Sequence, residues 1–131
     1  MTGVQTCALP ILRALAIRMQ SLGADHPDTA ASISHLATVY QLVGNTERAL
    51  ELETQALAIR ERHLDYYHPD TAISLHNLAS IYYNRGDVAQ ALPLWERALC
   101  IVEHTLNRVH PYAETFRANL EACKRALGLE Q

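Results

Sequence analysis

The sequence contains few of the residues on which several protein classes depend. Aromatic residues make up 6% of the 131-residue chain, and glycine and proline contribute five each, which is too little turn chemistry for a sandwich or barrel. The three cysteines form no CxxC pair, which favours free thiols in a reducing compartment over a disulfide framework. No apolar run approaches the roughly 18 residues of a membrane span. The composition therefore predicts a helical, cytoplasmic domain without a membrane segment.

Charge and motif content argue against several activities. The net charge is −3, from 11 basic and 14 acidic residues, so no basic field is available for a phosphate backbone and we expect no nucleic-acid partner. The sequence has no glycine-rich phosphate loop, no GxSxG motif and no nucleophile beside a base. Its seven histidines show neither an i, i+4 pair nor HExxH. We therefore predict no enzymatic activity, no cofactor and no metal site.

The first eleven residues, MTGVQTCALPI, have no counterpart in the rest of the chain. The string resembles the translation of a short-read sequencing adaptor, and it lacks the basic n-region of a signal peptide. We therefore predict that residues 1–11 are a non-native segment that contributes nothing to the fold. The alternative is a genuine flexible N-terminus. If the segment is non-native, the natural protein continues upstream and this chain is a fragment.

The rest of the chain contains an internal repeat with a period of 42 residues. Residues 26–67, laid over residues 68–109 without gaps, share 18 identical residues, including the string HPDTA at 26–30 and 68–72. Each unit predicts two helices, because a proline opens the first helix and an isolated glycine ends it. These prolines are Pro27, Pro69 and Pro111, and the glycines are Gly44 and Gly86. His26, His68 and His110 precede the prolines, where we expect them to cap helices.

This pattern divides residues 12–131 into a half repeat (12–25), two repeats (26–67 and 68–109) and a C-terminal capping helix (110–131). Second helices are predicted over 12–22, 46–64 and 88–107, and the last first helix over 111–127. The last helix carries charged residues where repeat two has apolar or neutral ones, which is typical of a terminal cap. Because one helix pair cannot bury its apolar face alone, the units must stack, which predicts an all-α fold of the α-solenoid type.

These residues resemble the tetratricopeptide repeat, in the 42-residue subtype typified by kinesin light chain. The match is closest over residues 67–103, which contain HPDTA, Asn77-Leu78-Ala79, Tyr82, Gly86, Pro93-Leu94-Trp95 and Arg97-Ala98-Leu99. The resemblance implies a right-handed superhelix of antiparallel helix pairs whose first helices line a concave groove. One departure is Glu53, which stands where the family has an aromatic residue and repeat two has Trp95.

The resemblance also implies a binding site for an extended peptide in that groove. In such arrays the Asn before the Leu-Ala pair commonly bonds a peptide backbone, and an amide suits this role because it offers a donor and an acceptor together. The predicted groove residues are His35, Thr38, Gln41, His76, Asn77, Ser80, Tyr83, Asn84, Asn119 and Arg125. Because Arg125 is the only cation among them, we expect no carboxylate clamp. The alternative for Asn77 is that it bonds only neighbouring helices.

We therefore predict a non-enzymatic protein-interaction scaffold, a fragment of a larger tetratricopeptide repeat protein, that binds a peptide of a protein partner. The alternative is an assembly element of a bacterial regulatory protein that self-associates and takes no external peptide.

Some local interpretations accompany these predictions. The acidic pair Glu51 and Glu53 is expected on a solvated surface, and Arg60 is interpreted as paired with Glu61 along a second helix. Cys100 and Cys123 are expected to pack as small apolar residues.

Overall fold

The computed structural model describes the backbone of residues 3–105 and 111–129, and the side chains from Pro10 onward within those ranges. These residues form six helices and no strand: α1 (Gly3–Leu22), α2 (Pro27–Leu42), α3 (Thr46–His63), α4 (Pro69–Asn84), α5 (Val88–Thr105) and α6 (Pro111–Ala126). The predicted end of α5 at 106–107 and the predicted cap His110 lie outside the described residues. No helix in the described part of the chain is long and apolar enough to cross a membrane.

The chain divides into two compact units. The N-terminal unit, residues 1–64, holds α1, α2 and α3, and in it α2 packs against both other helices. The C-terminal unit, residues 65–131, holds α4, α5 and α6, and there α5 packs against both other helices. Because the connections between consecutive helices are short, packed neighbours run antiparallel.

The ends of the helices are fixed by the repeated histidines and glycines. The backbone N–H of Asp28 donates to His26 Nδ1 at 3.0 Å, and the backbone N–H of Asp70 donates to His68 Nδ1 at the same distance. The capping role predicted for His26 and His68 is therefore confirmed. Gly44 and Gly86 have φ values of +84° and +94°, a region that a residue with a Cβ rarely adopts, so they end α2 and α4 as predicted.

Helix α1 begins earlier than the sequence indicated. The expected start at residue 12 is wrong, because α1 begins at Gly3 and continues through Pro10. A proline inside a helix removes one backbone hydrogen bond and strains the preceding turn. In α1 this loss at Pro10 does not end the helix. Ile11, inside the segment predicted to contribute nothing, packs against the core of the N-terminal unit. Whether residues 1–11 are native stays a prediction.

The core of the N-terminal unit lies between the facing sides of α2 and α3. It comprises Ala30, Ile33, Leu36, Ala37, Leu52, Ala56 and Ile59, with Ile11, Leu15 and Tyr40 packed against its edge. Small residues, above all alanines, let the two helices approach closely. Leu12, Ile17 and Leu22 of α1 remain exposed.

A polar group lies inside this unit where the sequence led us to expect surface. Glu53 is 0% exposed, so the prediction of a solvated surface for this residue is wrong, and Arg60 beside it is 6% exposed. The Ser34 hydroxyl donates to Glu53 Oε1 at 3.0 Å and accepts from Arg60 Nη1 at 3.4 Å. A carboxylate and a guanidinium can be buried because each of them finds hydrogen-bond partners there. Glu51, on the opposite side of α3, is exposed as predicted.

The core of the C-terminal unit is built around large side chains from all three helices. The largest of these fully buried residues are Phe116, Leu75, Ile81, Ile101 and Val102, and Trp95 is 3% exposed. Cys123 is buried as predicted, and burial raises the pKa of its thiol. Cys100 is exposed, so the packing predicted for it is wrong. Arg117 and Glu121 of α6 are also exposed.

In both units the loop before a first helix contacts the end of the following second helix, but the chemistry differs. In the N-terminal unit Asp25 accepts from Arg62 Nε at 3.1 Å and lies 2.9 Å from His63 Nε2. The hydrogen bonds from Arg62 and His63 lower the pKa of Asp25 to about 2. In the C-terminal unit the equivalent positions, one 42-residue period later, carry Tyr67 and His104, whose rings stack 3.9 Å apart.

Candidate functional site

A small cavity in the C-terminal unit lies between two first helices. Its volume is about 290 Å³, and its lining residues are Ile73, His76 and Asn77 from α4 and Tyr112, Thr115 and Phe116 from α6. Two of the ten predicted groove residues, His76 and Asn77, therefore meet in one concave site. Among the described residues no charged side chain lines it, so the cavity offers apolar and aromatic walls together with amide, imidazole and hydroxyl groups.

Asn77 presents an unused amide to this cavity. The side chain is half-buried, and among the residues that the structure describes it has no hydrogen-bond partner. Its carboxamide can therefore donate and accept toward a ligand without first breaking a bond within the protein. This geometry gives no support to the alternative in which Asn77 bonds only neighbouring helices.

The imidazole of His76 is hydrogen-bonded to Trp95, the single tryptophan of the chain. The Trp95 indole Nε1–H donates to His76 Nδ1 at 2.9 Å, and the imidazole lies 4.9 Å from the Phe116 ring, centroid to centroid. Burial lowers the pKa of His76, which keeps the imidazole neutral. The Tyr83 ring also contacts Trp95, edge to face at 5.8 Å. Trp95 thus fixes two of the predicted groove residues.

The other predicted residues do not line the cavity. Ser80 and Asn119 are half-buried on α4 and α6, whereas Asn84 and Arg125 are exposed. His35, Thr38 and Gln41 belong to the N-terminal unit, where the Thr38 hydroxyl donates to the Ser34 carbonyl of its own helix at 3.1 Å. For these residues a binding role stays a prediction.

Four lining residues were missed by the sequence analysis: Ile73, Tyr112, Thr115 and Phe116. A signal for two of them was present, because Tyr112 and Phe116 are aromatic residues spaced i, i+4 on α6 and their rings stack with centroids 6.2 Å apart. Such a pair lies on one helix face and marks an aromatic surface. Ile73 and Thr115 carried no comparable signal.

Other surface features are weaker candidates. Two more open depressions of about 540 and 490 Å³ lie at the 65–69 loop and along α5. The part of the chain described by the structure contains no group of three His, Cys, Asp or Glu side chains placed to hold a metal ion. The cavity at Asn77 is the more enclosed site and the one that combines apolar walls with an available amide.

Comparisons with known proteins place these features in context. Family models described as tetratricopeptide repeat match residues 11–62 and 71–112. A crystal structure of nearly identical TPR-like repeats, assigned to a kinesin light chain of Podosopora anserina, is 32% identical over 96% of this chain and 60% of that one, with a TM-score of 0.86. A single-residue variant of it gives the same identity and TM-score over 59% of its length.

A second solved structure, BtubC (BKLC) from P. vanneervenii, shares the fold, with 24% identity and a TM-score of 0.87 over 97% of this chain and 51% of that one. The chain therefore spans 60% or less of the length of these relatives. A search of the curated proteins gave no match. The predicted all-α solenoid fold is confirmed by the likeness to these repeat structures.

Proposed function

Because this chain belongs to the tetratricopeptide repeat family, with repeats like those of kinesin light chain, we propose that it binds an extended peptide of a protein partner at the cavity between α4 and α6. Repeats of this family are generally protein-interaction scaffolds, and peptide binding is one specific form of that role. We further propose that the module is non-enzymatic and acts in the cytoplasm, where the free thiols of Cys100 and Cys123 stay reduced.

The observation that carries the proposal is the available amide of Asn77 beside an apolar cavity. An extended peptide presents alternating N–H and C=O groups that one carboxamide can pair with simultaneously. A side chain of the same peptide can then enter the cavity beside Tyr112 and Phe116. Pairing of Asn77 with the peptide backbone sets the register of the peptide, and the cavity selects which peptide side chain can enter.

Charge makes a small contribution in this proposal. No charged residue lines the cavity in the described ranges 3–105 and 111–129, and Arg125 lies outside it. A groove of this kind cannot neutralise a peptide carboxylate, so we expect no preference for a free C-terminus. Binding should also depend weakly on ionic strength, because screening acts on charge pairs and the lining residues that the structure describes are uncharged.

The test is to select peptides from a displayed random library on the full chain and to titrate them against Asn77→Ala. We expect Asn77→Ala to weaken binding by about tenfold or more, because the peptide groups lose partners in a partly dry site. Gln55→Ala is the matched control, since it removes an exposed amide from α3, outside the cavity. Circular dichroism must show both variants folded. Equal affinity for the two folded variants would refute the role of Asn77.

A second candidate function is self-association, and a specific observation favours it. Helix α1 exposes several large apolar side chains, with Ile17 62% exposed and Leu12, Met19 and Leu22 each above 40%. Leu12, Met19 and Leu22 share one side of the helix, since they are spaced i, i+7 and i, i+3, and apolar patches of this kind are common at protein interfaces. Light scattering of the chain, compared with a Met19→Ser variant, tests this function. A concentration-dependent dimer that Met19→Ser dissociates would support it, and a monomer at all concentrations would exclude it.

A further inference from the structure

The hydrogen bond from Trp95 determines where the proton of His76 resides. An indole N–H can only donate, so the His76 Nδ1 that receives it at 2.9 Å must be an unprotonated acceptor. A neutral imidazole carries its single proton on the other nitrogen, which here is Nε2. Among the residues that the structure describes, His76 Nε2 has no hydrogen-bond partner. It is therefore a donor in a fixed tautomer that has no partner among the described residues.

The surroundings of this donor restrict what it can bind. His76 lines the cavity together with Ile73 and Phe116, and none of the lining residues that the structure describes is charged. A carboxylate entering this site would lose its hydration without meeting a positive charge, and an ammonium group would meet no negative one. A purely apolar side chain would leave the Nε2–H without a partner once water is displaced. The favourable occupant is uncharged and carries an acceptor.

We propose that the cavity accepts an amide or hydroxyl side chain of the bound peptide, of the glutamine, asparagine, serine, threonine or tyrosine type, with His76 Nε2–H as its donor. Trp95 acts as the positioning residue, since it touches the imidazole and not the peptide, and its indole selects the tautomer that donates toward the ligand. This inference rests on the proposed peptide-binding function, and it adds a side-chain specificity to it.

Two substitutions at His76 test the roles of its two ring nitrogens separately. In His76→Asn the amide oxygen replaces Nδ1 as acceptor for Trp95, but the donor at the Nε2 position is lost. In His76→Gln the amide nitrogen replaces the Nε2 donor, while the acceptor for Trp95 is lost. For library peptides whose binding depends on Asn77, we expect His76→Asn to weaken affinity about tenfold. His76→Gln should stay within about threefold of the wild type.

The tautomer itself is measurable without a ligand. Nitrogen-15 NMR of the free protein should show His76 protonated on Nε2 and unprotonated on Nδ1 at neutral pH. Trp95→Phe removes the indole N–H while it keeps an aromatic ring, and it should shift His76 toward a mixture of both tautomers. An Nδ1-protonated His76 in the wild type would overturn the inference directly.

The outcomes also distinguish this inference from the function on which it rests. If no library peptide depends on Asn77, the proposed function fails and the side-chain specificity fails with it. If peptides depend on Asn77 but bind His76→Asn as well as the wild type, peptide binding stands and the inference alone is overturned. Selected peptides that share a charged or purely apolar residue at the anchoring position would overturn it as well.

Discussion

Truncation of Trp95 to alanine is the most direct test of the packing in the C-terminal unit. The side chain is 3% exposed and contacts the rings of His76 and Tyr83. A buried aromatic residue removes about 150–250 Å² from water, worth about 4–6 kcal/mol at 25 cal/mol per Å². Partial collapse of the surrounding helices recovers some of this. We therefore expect Trp95→Ala to lower the free energy of unfolding by about 3–5 kcal/mol.

That loss is large relative to the total stability. A chain of 131 residues is expected to have a net stability of about 7–20 kcal/mol, so one truncation removes a substantial fraction of it. Urea unfolding followed by far-UV circular dichroism measures the change. Tryptophan fluorescence is unsuitable for the comparison, because Trp95 is the only tryptophan in the sequence and the variant has none.

Two comparison variants sharpen the measurement. Trp95→Phe retains an aromatic ring but loses the hydrogen bond to His76, so we expect a smaller loss, of about 1–2 kcal/mol. Tyr66→Ala removes an aromatic ring that is 59% exposed, and it should cost less than about 1 kcal/mol. If the free energy of unfolding of Trp95→Ala is also within about 1 kcal/mol of the wild-type value, the ring does not support the core and its packing in the C-terminal unit is refuted.

Further predictions concern charge, pH and local stability. Glu53→Ala should cost several kcal/mol because it leaves buried polar groups without their partner, whereas Glu51→Ala on the exposed side of α3 should change the thermal midpoint little. The pKa of Asp25 is lowered from 3.8 to about 2, so its contribution to stability is present above pH 3.8 and is lost as the pH falls toward 2. In Asp25→Asn the urea midpoint should therefore change less with pH between 3.8 and 2 than it does in the wild type. The pKa of His76 is lowered from 6.5, so stability should also decline as the pH falls below 6.5, and His76→Asn should remove this step. Amide exchange should be faster in α1 than in α5, and equal protection of the two helices would contradict the exposure of the apolar residues on α1.

The sequence predicted the helices well because their ends depend on local chemistry. The first turn of a helix tolerates a proline, and a glycine adopts the positive φ that ends a helix, so both effects depend on only a few neighbouring residues. In the structure Pro27 and Pro69 begin helices, and Gly44 and Gly86 end them. The start of α1 was the exception. Pro10 was interpreted as part of a segment outside the fold, but a single proline does not always end a helix.

The interior was harder to predict because burial depends on which helix lies opposite. Glu53 and Arg60 carry charged side chains of the kind usually found on a surface. Nothing in their local sequence reveals that Ser34 contacts both of them from α2. Within the predicted site, the role of Asn77 was implied by the resemblance to the tetratricopeptide repeat. The hydrogen bond between Trp95 and His76 was not, because it joins residues 19 positions apart on separate helices.

The contact between a first and a second helix is made by different pairs at the same repeat position. Ser34 with Glu53 in one unit corresponds, one period later, to His76 with Trp95 in the other. The two pairs differ in size and in hydrogen-bond direction, since the Ser34 hydroxyl donates to a carboxylate whereas the His76 imidazole accepts from an indole. A consensus repeat assembled position by position would combine these partners wrongly, so an engineer who averages such repeats should choose residues by contact pair.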